Sequence, residues 1–277
     1  MIHPNFKEYL PSYYFSTINP HAAYPKLEGR LKTETCVIGG GLTGLCTALP
    51  LAENGREVTV LEAARIGFGA SGRSGGQVIS DYACGMEEIE KQVGLEQARW
   101  FWQQSLQAVE LVDERVKKHQ IACDWQRGYA TVAIRPQHWE ELQQWHEHAR
   151  QHYGATHYQL WDKATLKQQL ASDMYLGAQF DPHSGHLHPL NYTLGIARVA
   201  AEAGAQIFEQ SPMTRIEPYQ GGWLVHTPDG SIECQNLVYA VNTYAGLHQK
   251  FKPLEKKAIA VSTFIIATEP LGERAKE

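Results

Sequence analysis

Residues 34–77 read ETCVIGGGLTGLCTALPLAENGREVTVLEAARIGFGASGRSGGQ, and the order of their parts decides the fold. A short apolar run, Cys36-Val37-Ile38, enters Gly39-Gly40-Gly41-Leu42-Thr43-Gly44. Leu42 to Glu53 is mostly helix-forming, with Pro50 predicting a kink, and the β-branched run Val58-Thr59-Val60-Leu61 ends on Glu62. Strand, glycines, helix, strand and acid in this order make the βαβ pattern of a dinucleotide site. Gly39 turns the chain out of its strand, Gly41 lets main chain approach a pyrophosphate, and Gly44 lets helix and strand pack closely. The helix start at Leu42 and Thr43 offers N–H groups and a partial positive charge to phosphate. Glu62, followed by Ala63, falls about 20 residues past the glycines, where a carboxylate accepts hydrogen bonds from an adenosine ribose. The same charge repels a 2′-phosphate, which disfavours NADP.

A second cluster, Gly67-Phe68-Gly69-Ala70-Ser71-Gly72-Arg73-Ser74-Gly75-Gly76-Gln77, follows Glu62 almost at once. A plain NAD domain needs no such loop. Its glycines would bring main-chain N–H groups against a second part of a long, flat ligand. RIGFGASGRSGGQ, after GGGLTGL and VLEA, resembles the FAD-dependent amine oxidoreductases of the D-amino-acid oxidase superfamily, above all their gamma-glutamylputrescine oxidoreductase group. The resemblance runs from about Ser12 to the last residue. It implies an α/β fold: a Rossmann-like FAD-binding domain with an inserted α+β substrate domain.

The resemblance also implies site residues. Ser71, Gly72, Arg73, Ser74, Gly75, Gly76 and Gln77 are expected on FAD. Main chain at Met213 is expected against the adenine, and Ala240, Val241 and Asn242 near the nucleotide. Arg73 would turn its charge to phosphate or to the electron-rich reduced flavin. Some relatives anchor FAD covalently through a histidine near this point; with Arg73 and Ser74 there, non-covalent FAD is expected. Family members continue past the strand resembling Lys257 to Thr268, so a C-terminally truncated member is expected, its substrate domain incomplete. A missing closing strand would leave main-chain groups beside Val37 and Ile38 unpaired, or as a sticky edge.

With 277 residues, 43% hydrophobic and 20% charged, the chain can bury a sizeable core. A formal net charge of −5 and the lack of any basic run give no sign of nucleic acid or of a membrane surface. The five cysteines, Cys36, Cys46, Cys84, Cys123 and Cys234, are scattered and never in CxxC spacing, which argues against a disulfide framework or a zinc site. No signal peptide or membrane span is legible, so the sequence reads as cytoplasmic.

Along the chain, residues 1–30 read as an extended arm. The FAD-binding domain is expected at 31–85 and 190–250, and the substrate domain at 86–189 and 251–277. Leu95, Ala98, Trp102, Leu106, Val109, Val112 and Val116 repeat at three- and four-residue steps, one apolar face of a long helix with Trp102 in the core. Short strands are predicted at 122–125 and 129–134 around a turn, Gln126-Arg127-Gly128. Helices follow from Pro136 to about Tyr153, from the cap Asp162 to Leu170, and from Pro189 to Gly204. Met174 to Phe180 alternates weakly, and Asp181 to Gly185 reads as turn. Strands are expected at 205–208, 213–217, 223–226, 232–234 and 237–241, with Asp229-Gly230 as a hairpin turn.

A flavin amine oxidoreductase takes a hydride, or its equivalent, from a carbon next to nitrogen, and the cofactor carries the hard chemistry. No side chain is strictly demanded as acid or base, and none is singled out as catalytic. His186 and His188 alternate, as if on one strand face, with His183 in the turn before them. Structural hydrogen bonding is their favoured role over metal or base duty. Gln77, Tyr129 and Arg127 are weaker substrate-facing candidates. The partner expected is a small-molecule amine. Two other readings stay open: an NAD-linked dehydrogenase and a non-catalytic nucleotide-binding remnant.

Overall fold

The structure is a computed structural model, and it describes residues 8–247, 261, 263–269 and 271–273. In chain order, a short helix α1 (Tyr13–Ser16) precedes β1 (Gly29–Ile38), α2 (Leu42–Glu53) and β2 (Val58–Leu61). A single 3-10 turn at Ala70–Gly72 leads to β3 (Gln77–Val78), α3 (Met86–Val93), α4 (Leu95–Lys118), β4 (Gln126–Ala133) and α5 (Pro136–Tyr153). Then come β5 (Gln159–Asp162), α6 (Lys163–Lys167), β6 (Gly177–His186) and α7 (Pro189–Glu202). The last strands are β7 (Gln206–Phe208), β8 (Arg215–Tyr219), β9 (Gly222–His226) and β10 (Gly230–Tyr239). Two compact units result. One takes the chain up to Gly75, Ile121–Cys123 and the part from His188; Gly76–Gln120 and Asp124–Leu187 form the body of the other.

The first unit is built on a six-stranded sheet in the order β7-β2-β1-β10-β9-β8. β7, β2, β1 and β10 run parallel, and β9 and β8 close the sheet as antiparallel neighbours. The expected unpaired edge beside Val37 and Ile38 is absent. Val37 lies between Val60 and Val238, and Ile38 between Leu61 and Tyr239. The reason is the length of β10. Two short strands were expected at 232–234 and 237–241, but one ten-residue strand pairs with β9 and also lies along β1. Cys36, Ile38, Leu61, Ile216, Val225 and Ile232 form a core on this sheet. Pro50 sits inside α2 without ending it. The arm is more than an extended run: α1 interrupts it, Leu27 is buried, and β1 already begins at Gly29.

In the second unit β6 is the central strand, pairing antiparallel with β3, β4 and β5. Three expectations fail here, two of them for one reason. Asp181 to Gly185 is not a free turn, Gln126-Arg127-Gly128 is not a turn, and 122–125 is not a strand. β4 and β6 instead pair on both sides of a register shift between Arg127 and Tyr129, which absorbs Pro182 to Ser184. A bulge is where a strand tolerates Pro, which has no N–H for the ladder. Gly128, at φ +107, bends the other strand at the same point. β3 ties Gln77 and Val78 to His186 and Gly185, so the chain joins the second unit at Gly76 rather than near 85. Helix α3 was not foreseen, and α6 stops at Lys167 instead of Leu170, although Asp162 caps it as expected by accepting Thr165 N–H at 2.8 Å. The predicted stripe on α4 is real: Ala98, Trp102 and Val109 are buried, and Trp102 packs among Met86, Ala149 and Tyr153. The substrate-domain expectation for 251–277 lies largely outside the described residues.

Candidate functional site

The site is assembled at the carboxyl ends of the parallel strands, where open α/β sheets hold ligands. β1 ends at Ile38, and Gly39 takes φ +112 to turn the chain toward α2. Its N–H donates to Leu61 O at 2.8 Å. A Cβ on Gly39 would lie 2.4 Å from Ala240 O, so the end of β10 closes against this turn. Ala240 N–H donates to Ile38 O at 2.8 Å, and a Val241 methyl lies 3.5 Å from the same absent Cβ. Asn242 follows in the left-handed region at φ +51. A Cβ on Gly44 would stand 2.0 Å from Gly39 O and 3.1 Å from Val37 Cγ1, so α2 and β1 pack at a separation that only glycine permits.

Glu62 closes the far side of this turn. One carboxylate oxygen accepts Gly40 N–H at 2.7 Å and the other accepts Ala64 N–H at 2.8 Å. Burial raises its pKa, opposed by the N–H groups of Ala64 and Gly40 and reinforced by nearby Glu209. A carboxylate oxygen has lone pairs for more than one hydrogen bond, so the group keeps acceptor capacity beside exposed Ala63. Glu62 N–H donates to Phe208 O and Glu62 O accepts Ser211 N–H, which brings Met213 to within two residues of a Glu62 contact.

The second glycine cluster folds directly onto the first. Gly67 N–H donates to Gly40 O at 2.9 Å, and Ser71 Oγ accepts Leu42 N–H, at the start of α2, at 2.9 Å. Gly41 would put a Cβ 2.8 Å from that hydroxyl. Gly72 is buried against Gly67 O, with room for no Cβ, and Leu190 of α7 packs beside it. Arg73 is exposed; its Nε–H donates to Gly69 O at 3.2 Å and its guanidinium lies 5.7 Å from the Phe68 ring centroid. Ser74 and Gly75 are also exposed. Thus Gly39, Gly41, Leu42, Thr43, Gly44, Glu62, Ala63, Ser71, Gly72, Ala240, Val241 and Asn242 gather around the start of α2 and the adjoining strand ends. Gly76 and Gln77 belong to the other unit, where Gly76 O accepts Leu187 N–H and Gln77 pairs with His186.

Two supports were not legible in the sequence. Glu209, 2% exposed, accepts Ile66 N–H at 2.7 Å, Tyr24 N–H at 3.2 Å and an Arg65 N–H at 3.0 Å, fixing the entry to the glycine loop. Its only signal was an acid at the end of a strand, the position Glu62 takes after β2. Helix α7, buried along most of its length, sets Leu190 and Thr193 against Gly67.

The weaker candidates resolve differently. His188 caps α7: Nδ1 accepts Asn191 N–H at 3.1 Å and Nε2 lies 3.0 Å from Thr17 Oγ1. His186 ends β6 in the other unit, so the two histidines do not share a strand face. Arg127 is held by Glu110 at 2.9 and 3.0 Å, by Asp113 at 3.0 Å and by His183 O at 2.9 Å. Its guanidinium serves ion pairs rather than a ligand. Tyr129 lines a cavity of about 410 Å³ within the second unit. Among the described residues no group of three or more His, Cys, Asp or Glu is placed to hold a metal, and no helix is long and apolar enough to cross a membrane.

Residues 34–277 match the family model described as FAD dependent oxidoreductase. The chain is 43% identical over 275 residues to a probable oxidoreductase, OrdL, of Haemophilus influenzae, covering 99% of this chain and 64% of that protein. It is 37% identical over 267 residues to gamma-glutamylputrescine oxidoreductase of Escherichia coli, covering 96% of this chain and 62% of that one. The chain therefore spans less than two thirds of the length of these curated relatives. Among solved structures it resembles glycine oxidase from Geobacillus kaustophilus, with a TM-score of 0.64 at 20% identity, over 78% of this chain and 57% of that one.

Proposed function

The chain belongs to the family of FAD-dependent oxidoreductases, and we propose that its first unit holds the adenosine diphosphate part of FAD without a covalent bond, in a protein that oxidises amines. One observation carries this reading: the two glycine clusters are joined by main chain, Gly67 N–H to Gly40 O, and by the Ser71 hydroxyl on Leu42 N–H. A plain dinucleotide turn has no use for that junction. The residues present fit the group. Gly41 keeps a side chain out of the space beside Ser71, and the first turn of α2 has N–H groups with no intrahelical acceptor. Glu62 has acceptor capacity for ribose hydroxyls while its carboxylate fixes Gly40 and Ala64. The Arg73 charge stands at the exposed edge of the loop, available to an anion.

When bound, FAD supplies the two-electron chemistry, taking a hydride or its equivalent from the carbon next to nitrogen. The protein's part is to grip by main chain, to orient, and to turn away nucleotides that carry a 2′-phosphate through the negative charge of Glu62. By likeness to its 37% identical relative, the substrate is gamma-glutamylputrescine or a similar primary amine. Its terminal carbon becomes an aldehyde, nitrogen leaves as ammonia after water adds, and the electrons reach oxygen as hydrogen peroxide. A cytoplasmic location accords with that chemistry.

The test is spectroscopic first and kinetic second. Purified protein supplied with FAD is expected to retain flavin absorbance through gel filtration and to release peroxide with a terminal amine. A protein that retains no flavin ends this reading. Tighter retention of NAD than of FAD would replace it with the dehydrogenase reading.

A further inference from the structure

The cavity of about 410 Å³ in the second unit lies on one face of its sheet. Tyr129 and Thr131 of β4 stand opposite Asp181 and Gln179 of β6, so four side chains from alternate positions form its floor. Met86 at the start of α3 and Trp145 of α5 contribute to the wall. Every lining residue comes from the second unit.

Two features of this floor call for a ligand. Gln179 is 8% exposed and, among the described residues, its side-chain oxygen Oε1 has no hydrogen-bond partner. An unpaired buried amide oxygen is destabilising, so a sheet with no use for it would carry an apolar side chain there. The neighbouring Asp181, 5% exposed, is by contrast firmly oriented. It accepts from Ser80 Oγ at 3.1 Å, from Ser184 Oγ at 2.5 Å and from His183 N–H at 2.8 Å. Around these two acceptors the lining holds the carboxylates Asp81, Glu87 and Glu88 and a single cation, Lys91. Three aromatic rings, Tyr129 on the floor and Trp145 and Tyr158 beside it, give the lining apolar surface suited to an alkyl stem.

We propose that this cavity is a binding site for a small alkylammonium ion, whose N–H groups satisfy Gln179 Oε1 and whose charge is balanced by Asp181 and the rim carboxylates. The site is complete within its own unit and needs no flavin, so it stands apart from the nucleotide reading above. It concerns binding only, with no bond made or broken.

The test is calorimetric titration of the full chain, without added FAD, with n-butylammonium, and with butan-1-ol and butyrate as controls. Butylammonium is expected to bind at least tenfold more tightly than butan-1-ol, and butyrate not to bind. Gln179→Leu, which removes an oxygen that bonds to nothing among the described residues, is expected to weaken butylammonium at least fivefold while unfolding no earlier than wild type. Equal affinity for butylammonium and butan-1-ol overturns the proposal, and that comparison needs no variant. So does a folded Gln179→Leu protein with wild-type affinity. Loss of flavin binding leaves both results untouched, so failure of the oxidoreductase reading is recognised separately.

Discussion

Gly41 and Gly44 are three residues apart in one helix start, yet replacing each with alanine should damage different properties. At Gly44 the new Cβ would lie 2.0 Å from Gly39 O. Ordinary carbon–oxygen contacts are about 3.3 Å, so α2 must withdraw from β1 by about 1 Å. Overpacking of that kind costs about 3 kcal/mol, and the better helix propensity of alanine returns about 1 kcal/mol. The net loss of about 2 kcal/mol lowers Tm by roughly 4–8 °C for a chain of this size. At Gly41 the backbone is extended, with φ −90 and ψ −177, and the Cβ meets only the Ser71 hydroxyl at 2.8 Å. That hydroxyl can rotate away, forfeiting its bond to Leu42 N–H at about 1 kcal/mol, or roughly 2–4 °C. The methyl nevertheless fills the space through which phosphate oxygens would reach the N–H groups of α2. Losing such charge-assisted bonds costs about 2–3 kcal/mol, a fall in FAD affinity of roughly 30- to 150-fold. Thermal unfolding without FAD, beside fluorescence titration with FAD, separates the two effects. If Gly41→Ala binds FAD as wild type does, the phosphates do not pass over this residue and the site is wrongly placed. If Gly44→Ala melts at the wild-type temperature, the tight helix–strand contact is not what glycine secures.

Other substitutions test the frame around the site. Glu209→Gln leaves Arg65 with Glu8 alone and weakens the bonds to Ile66 and Tyr24, so about 1–3 kcal/mol of stability should be lost in urea unfolding; a change under about 0.5 kcal/mol would show that Glu209 does not brace the loop. His188→Ala should cost about 1 kcal/mol by uncapping α7, and His188→Asn should recover most of it with unchanged flavin content per folded chain; a folded His188→Asn protein devoid of amine turnover would instead make this histidine catalytic. Burial alone would raise the Asp113 pKa, but hydrogen bonds from Lys117, Arg127 and Trp125 outweigh it and hold the group at about 2, against an ordinary 3.8. The stabilisation is therefore fully present above pH 3.8 and is lost as pH falls through about 2. Asp113→Asn should be less stable than wild type at pH 5 and should converge with it near pH 2; a gap equally wide at both pH values would contradict the assignment.

The sequence by itself determined the βαβ turn on which the candidate site is built. Gly39, Gly41, Gly44 and Glu62 lie in one continuous stretch, and each constraint on them is local: a turn at positive φ, a close approach, a helix start, a strand end. The long stripe of α4 and the caps at Asp162 and Pro136 were legible for the same reason, since period and cap chemistry act within a few residues. Tertiary structure decided everything that joins distant segments. Gly67 meets Gly40 across 27 positions, Glu209 reaches Ile66 across 143, and β10 returns to close beside β1 across some 200. The bulge carrying Pro182 looked like a turn because its residues are turn residues; only pairing with β4 makes them strand. The orphaned oxygen of Gln179 is the extreme case, for in the sequence it is one more glutamine at a strand position. Whether a polar atom is satisfied depends on every chain that surrounds it, and that is settled only when the sheet and the helices over it have closed.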